Sequence, residues 1–305
     1  MPQCCMNWQK TFLRLHGLQD SYLQQAQTWF DPLATSLVEF QADAGVPILV
    51  ALNGAQGSGK STLADYLVAS LTSSHNVSTC ALSLDDFYCT RAARAHLAQT
   101  VHPLLLTRGV PGTHDLSLLN ATLDGLMDGS EHSATSIPRF DKARDDRRAE
   151  SDWDSVNSPV DIVIVEGWCV GAFAQSEQQL ISPVNTLEAE EDKDGQWRSH
   201  VNQVLAEQFR PLYRRVDQWV MLQAPSFDCV YRWRLEQEHK LVDTLPPNAD
   251  LKLMSDAQIA KFIQYYQRIT QRCLIDLPSR VNHLFRLGEE RGIVDYRYSA
   301  QGDMG

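Results

Sequence analysis

Short apolar runs alternate along the chain with longer stretches in which apolar residues recur every three or four positions. The short runs predict buried strands, and the longer stretches predict helices. The predicted strands cover 46–52, 77–84, 160–166, 216–222 and 281–287. The predicted helices cover 61–72, 114–128, 200–211, 226–241 and 256–276, the last with Ser255 as its cap and Gln258 as its capping-box partner. This alternation predicts an α/β protein with a parallel sheet and helices on both faces.

Three regions fall outside this alternation. Residues 1–44 contain two amphipathic stretches broken at Asp31-Pro32, which predict a helical N-terminal extension ahead of a main domain over 45–305. Residues 129–158 are polar and charged, and they predict a loop region. Residues 174–198 contain an acidic run without a clear period, which predicts a solvated excursion or flexible flap.

Composition narrows the class of protein. The 305 residues are 43% hydrophobic, enough for a sizeable core, and the net charge of −11 argues against a general nucleic-acid surface. No stretch is long and apolar enough to span a bilayer, so we expect a cytoplasmic protein with no membrane partner. The scattered cysteines form no C-x-x-C pair, which favours free thiols in a reducing compartment over a zinc site. They are Cys4, Cys5, Cys80, Cys89, Cys169, Cys229 and Cys273.

A glycine-rich stretch between the first predicted strand and helix fits the pattern G-x-x-x-x-G-K-[ST]. Its residues are Gly54, Ala55, Gln56, Gly57, Ser58, Gly59, Lys60 and Ser61, followed by Thr62. Glycines let backbone N–H groups approach phosphate oxygens, and a helix N-terminus favours negative charge at the same point. In this arrangement Lys60 would reach the β- and γ-phosphates and Ser61 would bind Mg²⁺. The alternative is a Gly/Ser turn with one surface lysine.

Carboxylates end two of the predicted strands, at the sheet edge where open α/β proteins bind ligands. Asp85 is a candidate to accept or orient the proton of an attacking hydroxyl, although aspartate also forms turns at strand ends. Asp86 is a candidate ligand of a metal-bound water, and Tyr88 either lines the substrate pocket or belongs to the core. Glu166 ends an apolar run immediately before a glycine, which favours a role in the Mg²⁺ hydration shell over simple strand termination.

Cations gather at two places in this acidic chain. Residues 138–148 hold five, among them Arg139 and Lys142. Arg232 and Arg234 lie two apart in a predicted helix and so do not share a face; one is expected to meet the nucleotide while the other pairs with an acid. For any single arginine, a salt-bridged surface is the alternative.

The Gly- and Pro-rich segment before the helix at 114 offers further polar side chains. Arg108, Thr113, His114 and Asp115 are candidates for a small substrate pocket. Equally, Asp115 suits a helix cap and His114 a structural hydrogen bond.

Six stretches, in this order, resemble the D-glycerate 3-kinase family of P-loop kinases. They are SLDDFY, HPLLLTRGVPGTHD, PRFDKARDDR, DIVIVEGW, YRWRLEQE and MSDAQIAKFIQYYQ, and they are spread over most of residues 47–290. More distantly, the pattern is similar to uridine kinase, phosphoribulokinase and bacterial pantothenate kinase.

The resemblance implies a P-loop kinase fold with a five-stranded parallel sheet and a lid, using ATP and Mg²⁺ to phosphorylate a small hydroxylated acceptor. Lys60 and Ser61 match the nucleotide and Mg²⁺ residues of the related kinases. Asp85 matches the acid that serves as their base, and Glu166 matches their metal-side acid. The stretch YRWRLEQE matches their arginine-bearing lid.

The function implied is transfer of phosphate from ATP to D-glycerate, giving 3-phosphoglycerate. Arg108, Arg139 and Lys142 are then candidates to hold the glycerate carboxylate. Two departures leave the acceptor open: the loop KARDDR lacks the glycines that usually follow the lysine in plant glycerate kinases, and 174–198 is longer and more acidic than expected. The alternatives are a kinase of a nucleoside or pantothenate-like acceptor, or a nucleotide-dependent regulatory protein. For a glycerate kinase, or for a kinase of another acceptor, the partner is a small-molecule substrate. The oligomeric state is not predicted.

Overall fold

The computed structural model describes residues 5–128, 133–244 and 254–302, and its strands form one large sheet and two small ones. The strands are β1 (Ile48–Gly54), β2 (Thr79–Ser83), β3 (Ala134–Ile137), β4 (Phe140–Asp141), β5 (Asp146–Arg147), β6 (Asp154–Asn157), β7 (Ile162–Gly167), β8 (Gln218–Gln223), β9 (His283–Leu287) and β10 (Ile293–Tyr298). The large sheet has the order β10-β9-β8-β1-β7-β2, while β3–β6 and β4–β5 form antiparallel pairs. Loop region 129–158 therefore contains short strands that its polar sequence did not predict.

All five predicted strands are present and parallel, with ends within two residues of those predicted. The predicted count of five is nevertheless one too low, because β10 pairs antiparallel with β9 at the edge. Its side chains are mostly exposed or half-exposed, so it lacks the apolar run that marks the buried strands. By contrast, every residue of β1 and β7 is buried, as expected for central parallel strands.

Eleven α-helices are present in the described part of the chain. They are α1 (Cys5–His16), α2 (Ser21–Ala44), α3 (Lys60–Ser74), α4 (Arg91–Thr100), α5 (Leu116–Met127), α6 (Glu177–Leu180), α7 (Thr186–Glu191), α8 (Gln196–Val204), α9 (Arg210–Tyr213), α10 (Phe227–Thr244) and α11 (Asp256–Asp276). The capping box predicted for α11 at Ser255 and Gln258 is confirmed. The helix predicted over 200–211 is present as α8, a π-helical turn and α9. None of the described helices has the length and apolar character that crossing a membrane requires.

The break predicted at Asp31-Pro32 is wrong, because α2 runs through Pro32. Tertiary contacts outweigh the proline penalty: Phe30 and Leu33 are buried on either side of it, and the Asp31 carboxylate accepts a hydrogen bond of 2.7 Å from the Tyr66 hydroxyl on α3. The chain breaks instead at Gly17, where φ is +61°. Because α2 packs directly on α3, the proposed boundary between 1–44 and 45–305 stays a prediction.

The segment 174–198, predicted to be a solvated excursion or flexible flap, contains helices that its sequence did not predict. The segment forms α6, α7 and the start of α8, and it buries two of its own carboxylates, Glu188 and Asp192. Glu188 pairs with Arg268 of α11 at 2.6 Å, and Asp192 pairs with Arg198 at 2.8 Å. Buried ion pairs therefore account for two acids of the run, while Glu190, Glu191 and Asp194 are exposed.

Five cysteines are free thiols in the structure, which agrees with the expectation for the described residues. They are Cys80, Cys89, Cys169, Cys229 and Cys273. Cys4 lies outside the described residues.

Candidate active site

The phosphate-loop motif lies between the last residue of β1, Gly54, and the first residue of α3, Lys60. Two of its glycines have left-handed backbone angles, with φ of +80° at Gly57 and +87° at Gly59. A Cβ added to Gly57 would also lie only 2.7 Å from the Cβ of Trp233 on α10. The loop therefore needs glycine here for both its turn and its packing, and it lies at the N-terminus of α3, a position that favours an anion.

Glu166 of β7 lies beside this loop because of the strand register. It is paired with Leu52 of β1 and with Ser83 of β2. One carboxylate oxygen, Oε1, accepts a hydrogen bond of 2.9 Å from the Ser61 hydroxyl, and the other, Oε2, lies 3.9 Å from Lys60 Nζ. Glu166 is buried, and its Oε2 accepts no hydrogen bond from any described residue. A buried carboxylate oxygen lacking such a partner beside a serine hydroxyl suits a hydrated Mg²⁺, which prefers oxygen ligands.

Asp85 lies in the helical turn after β2 and is held by two hydrogen bonds. Its Oδ1 accepts one of 2.7 Å from the Tyr88 hydroxyl, and its Oδ2 accepts one of 2.7 Å from Lys142 Nζ. Burial favours the neutral acid, but the charges of Lys142 and Lys60, together with the two hydrogen bonds, outweigh it and lower the pKa of Asp85 to about 2. Asp85 is therefore an anion at any physiological pH.

A cavity of about 340 Å³ joins the loop, Asp85 and Glu166. Ten residues singled out from the sequence line it: Gln56, Gly57, Lys60, Ser61, Asp85, Tyr88, Arg108, Lys142, Glu166 and Arg234. Other members of the motif belong to the loop or the first turn of α3 without lining the cavity: Gly54, Ala55, Ser58, Gly59 and Thr62. The volume lies near the lower end of the range for small-molecule sites.

Arg139, Asp86 and Arg232 lie outside the lining of this cavity. Arg139 forms ion pairs with Asp86 at 2.7 Å and with Asp154 at 2.6 Å. Asp86 also accepts a hydrogen bond of 3.1 Å from the Phe140 amide, so it fixes strand β4 beside the turn that carries Asp85. Arg232 is 52% exposed and pairs with Glu289, so of the two arginines in α10 it is Arg234 that faces the cavity.

Asp115 of the 103–115 segment takes the structural role considered as its alternative, whereas His114 does not make the structural hydrogen bond considered for it. Asp115 caps α5 by accepting a hydrogen bond of 3.0 Å from the Leu118 amide, and it pairs with Arg147 at 3.0 Å. His114 is buried and stacks on Tyr88 with ring centroids 4.8 Å apart. Burial lowers the pKa of His114 to about 4, and neither ring nitrogen has a hydrogen-bond partner among the described residues. It supports Tyr88 as a neutral ring.

Sequence reasoning missed five residues that line the cavity: Ser83, Trp168, Gln237, Phe262 and Tyr266. Trp168 follows Glu166 by two positions, so its place after β7 was a usable signal. Phe262 and Tyr266 lie one turn apart on α11, and helix periodicity reads such a pair as core residues.

A phosphate loop facing two strand-end carboxylates across a small cavity defines a P-loop kinase, a class of enzyme that binds ATP and commonly uses Mg²⁺. No protein-family model matches the chain. It is 38% identical over 231 residues to an uncharacterised kinase of Schizosaccharomyces pombe, a match that spans 73% of this chain and 79% of the other.

A second relative is an enzyme of named activity. The chain is 30% identical over 231 residues to the chloroplastic D-glycerate 3-kinase of Arabidopsis thaliana, covering 72% of this chain but 46% of that protein. The solved D-glycerate 3-kinase of Cryptococcus neoformans superposes with a TM-score of 0.72 and 26% identity, covering 88% of this chain and 98% of the other. The chain belongs to the D-glycerate 3-kinase family of P-loop kinases.

Proposed function

We propose that this kinase transfers the γ-phosphoryl group of ATP to the 3-hydroxyl of D-glycerate. One observation carries the proposal: Asp85 shares a small cavity with the phosphate loop and with the cations Arg108 and Lys142. An acid beside the loop suits an alcohol acceptor, and nearby cations suit an acceptor that is itself an anion. The D-glycerate 3-kinases similar to this chain support the same acceptor.

The roles proposed for the side chains follow from their positions. The loop amides and Lys60 bind the phosphates, while Ser61 and Glu166 hold a hydrated Mg²⁺, which neutralises phosphate charge when bound. Asp85 orients the acceptor hydroxyl toward the γ-phosphate. Arg234 is the arginine of α10 that we propose to meet the transferring phosphoryl group, because it lines the cavity.

Arg108 and Lys142 are the proposed carboxylate ligands. Arg108 is anchored through an ion pair with Asp145, and the same guanidinium donates a hydrogen bond of 3.5 Å to the Lys142 carbonyl. Both side chains therefore lie on the same wall, formed by the turn between β4 and β5 and the segment before α5. Arg139 was an equal candidate from the sequence, but it lies outside the cavity lining, which makes it the weaker one.

An acceptor panel tests the proposal. ADP release is measured with Mg²⁺-ATP and D-glycerate, L-glycerate, uridine or pantothenate, and the product is identified by mass spectrometry; Lys60→Ala provides the blank. We expect kcat/KM for D-glycerate to exceed that for uridine or pantothenate at least about a hundredfold. Preferred turnover of uridine or pantothenate would overturn glycerate as the acceptor. ADP release that no acceptor stimulates would favour a regulatory ATP-binding protein.

A further inference from the structure

Two aromatic rings close one side of the active-site cavity. Trp168 follows β7 and Tyr266 lies in α11, and both line the cavity although each is at least 96% buried. Their ring centroids are 4.8 Å apart at an interplanar angle of 81°, the edge-to-face arrangement that aromatic pairs favour. We call this pair the aromatic wall. Burial and the negative charge of Asp85 raise the pKa of Tyr266, so the wall is neutral.

Both rings are tied to the backbone of the segment that carries Arg108. The Trp168 indole N–H donates a hydrogen bond of 3.1 Å to the Gly109 carbonyl, and the Tyr266 hydroxyl donates one of 3.3 Å to the Arg108 carbonyl. Gly109 has a φ of +138°, and an added Cβ would lie 2.8 and 2.9 Å from two carbons of the Tyr266 ring. The ring thus occupies the space that any other side chain at position 109 would need, and it cannot retreat toward this segment.

Helix α11 is itself held from its opposite side. Arg268 follows Tyr266 by two positions and so faces a different direction. It donates two hydrogen bonds, of 2.7 and 2.6 Å, to the buried Glu188 carboxylate, and others to the carbonyls of Gln179 and Ser182. Moving α11 to widen the cavity would break this buried, bidentate pair, which is costly. The 174–198 segment therefore fixes the aromatic wall.

We propose that the aromatic wall of Trp168 and Tyr266 limits the length of the acceptor, so that the site takes a three-carbon hydroxy acid and rejects its four-carbon homologue. The inference rests on the proposed function. The acceptor must fit between Asp85, the cations Arg108 and Lys142, and a wall that cannot yield. A carbon added on the side of the wall would meet a ring atom of Trp168 or Tyr266.

Truncation of the wall tests this inference. Tyr266→Ala is assayed with Mg²⁺-ATP and either D-glycerate or the four-carbon acid D-erythronate. We expect the ratio of kcat/KM for D-erythronate to that for D-glycerate to rise at least tenfold, the usual scale of one carbon unit in a fitted pocket, with KM for ATP within about twofold. Tyr265→Ala is the matched control, since Tyr265 contacts Trp197 with ring centroids 5.8 Å apart and lies outside the lining. The Tyr265→Ala variant should have the same ratio of kcat/KM for D-erythronate to that for D-glycerate as the unaltered chain.

The outcomes separate this inference from the function on which it rests. An unchanged ratio in a folded Tyr266→Ala variant that still phosphorylates D-glycerate would overturn the wall and leave the glycerate kinase assignment intact. If that variant fails to fold, Tyr266→Leu keeps an apolar side chain in the core while removing the ring, and the same ratio decides. Failure of the unaltered chain to phosphorylate D-glycerate would overturn the proposed function and, with it, the wall.

Discussion

Replacing Asp85 by asparagine removes one negative charge from the cavity while keeping the shape of the side chain. In the unaltered chain the Asp85 carboxylate accepts hydrogen bonds from Tyr88 and Lys142, each of 2.7 Å. Asparagine retains one oxygen that can accept a hydrogen bond. It lacks the full negative charge with which the carboxylate would hold the hydroxyl of the substrate. Because Lys142 is 60% exposed, its ammonium group remains hydrated after its partner is lost. The variant should therefore fold.

The structure sets the size of two effects. The loss of the group that orients the hydroxyl to be phosphorylated should lower kcat by about 10²-fold or more, or at least about 3 kcal/mol of activation free energy. The fall in the pKa of Asp85 from 3.8 to about 2 corresponds to at most about 2 kcal/mol of folding stability at neutral pH. This contribution is complete above the unfolded pKa and disappears as the pH falls from about 4 toward 2, so the stabilities of the variant and the unaltered chain should converge there.

The assay is steady-state ADP release with D-glycerate, together with calorimetric measurement of ATP binding. Asp85→Asn should bind ATP no more weakly than the unaltered chain, because removing its charge leaves Lys60 more attractive to phosphate. Asp86→Asn is the matched control: this neighbouring carboxylate contacts Arg139 and the Phe140 amide outside the cavity lining, so its kcat should stay within about tenfold. An Asp85→Asn variant with more than a tenth of normal turnover would refute the role given to this carboxylate.

Three further predictions concern the nucleotide loop, the metal and the buried ion pair. Gly57→Ala should weaken ATP binding at least tenfold by calorimetry, since its φ is +80° and its Cβ would lie 2.7 Å from that of Trp233. EDTA should abolish turnover, and Ser61→Ala should raise the Mg²⁺ concentration needed for half-maximal turnover at least tenfold, measured by Mg²⁺ titration. Glu188→Gln should lower the free energy of unfolding by about 3 to 5 kcal/mol in denaturant titrations. In the same titrations Glu191→Gln, which removes an exposed ion pair, should change it by less than about 1 kcal/mol.

The parts of the site that the sequence predicted are those that depend on local chain geometry. A phosphate loop needs its glycines and lysine at fixed spacing between a strand and a helix, so Gly57 and Lys60 were identifiable. Asp85 and Glu166 were identifiable because the carboxyl ends of neighbouring parallel strands meet at one edge of the sheet. Their presence in one cavity follows from topology that alternating apolar patterns predict well.

The remaining features depend on contacts between distant parts of the chain. The Tyr266 hydroxyl donates a hydrogen bond to the carbonyl of Arg108, which lies 158 positions earlier. Helix periodicity does not predict that partner. The sequence around Glu188 predicts a solvated acid, because its partner Arg268 lies 80 positions later in the chain. Lys142 was one of five cations in its stretch, and only the hairpin of β4 and β5 selects it to meet Asp85. Pattern and composition contain no information on such pairings.

The strongly lowered pKa of Asp85 bears on how the transfer is catalysed. A carboxylate with a pKa of about 2 is a weak base, and so it cannot draw a proton from an alcohol early in the reaction. The transition state of phosphoryl transfer is loose and needs little nucleophile activation, whereas it does need the acceptor oxygen in line and the phosphoryl charge neutralised. Asp85 suits that demand, because Lys142 and Tyr88 fix its position on one side of the cavity and Lys60 lies at the nucleotide side. Lys60, one of the two cations that weaken Asp85 as a base, is also the residue proposed to bind the phosphates, so we expect positioning and charge to outweigh basicity in this site.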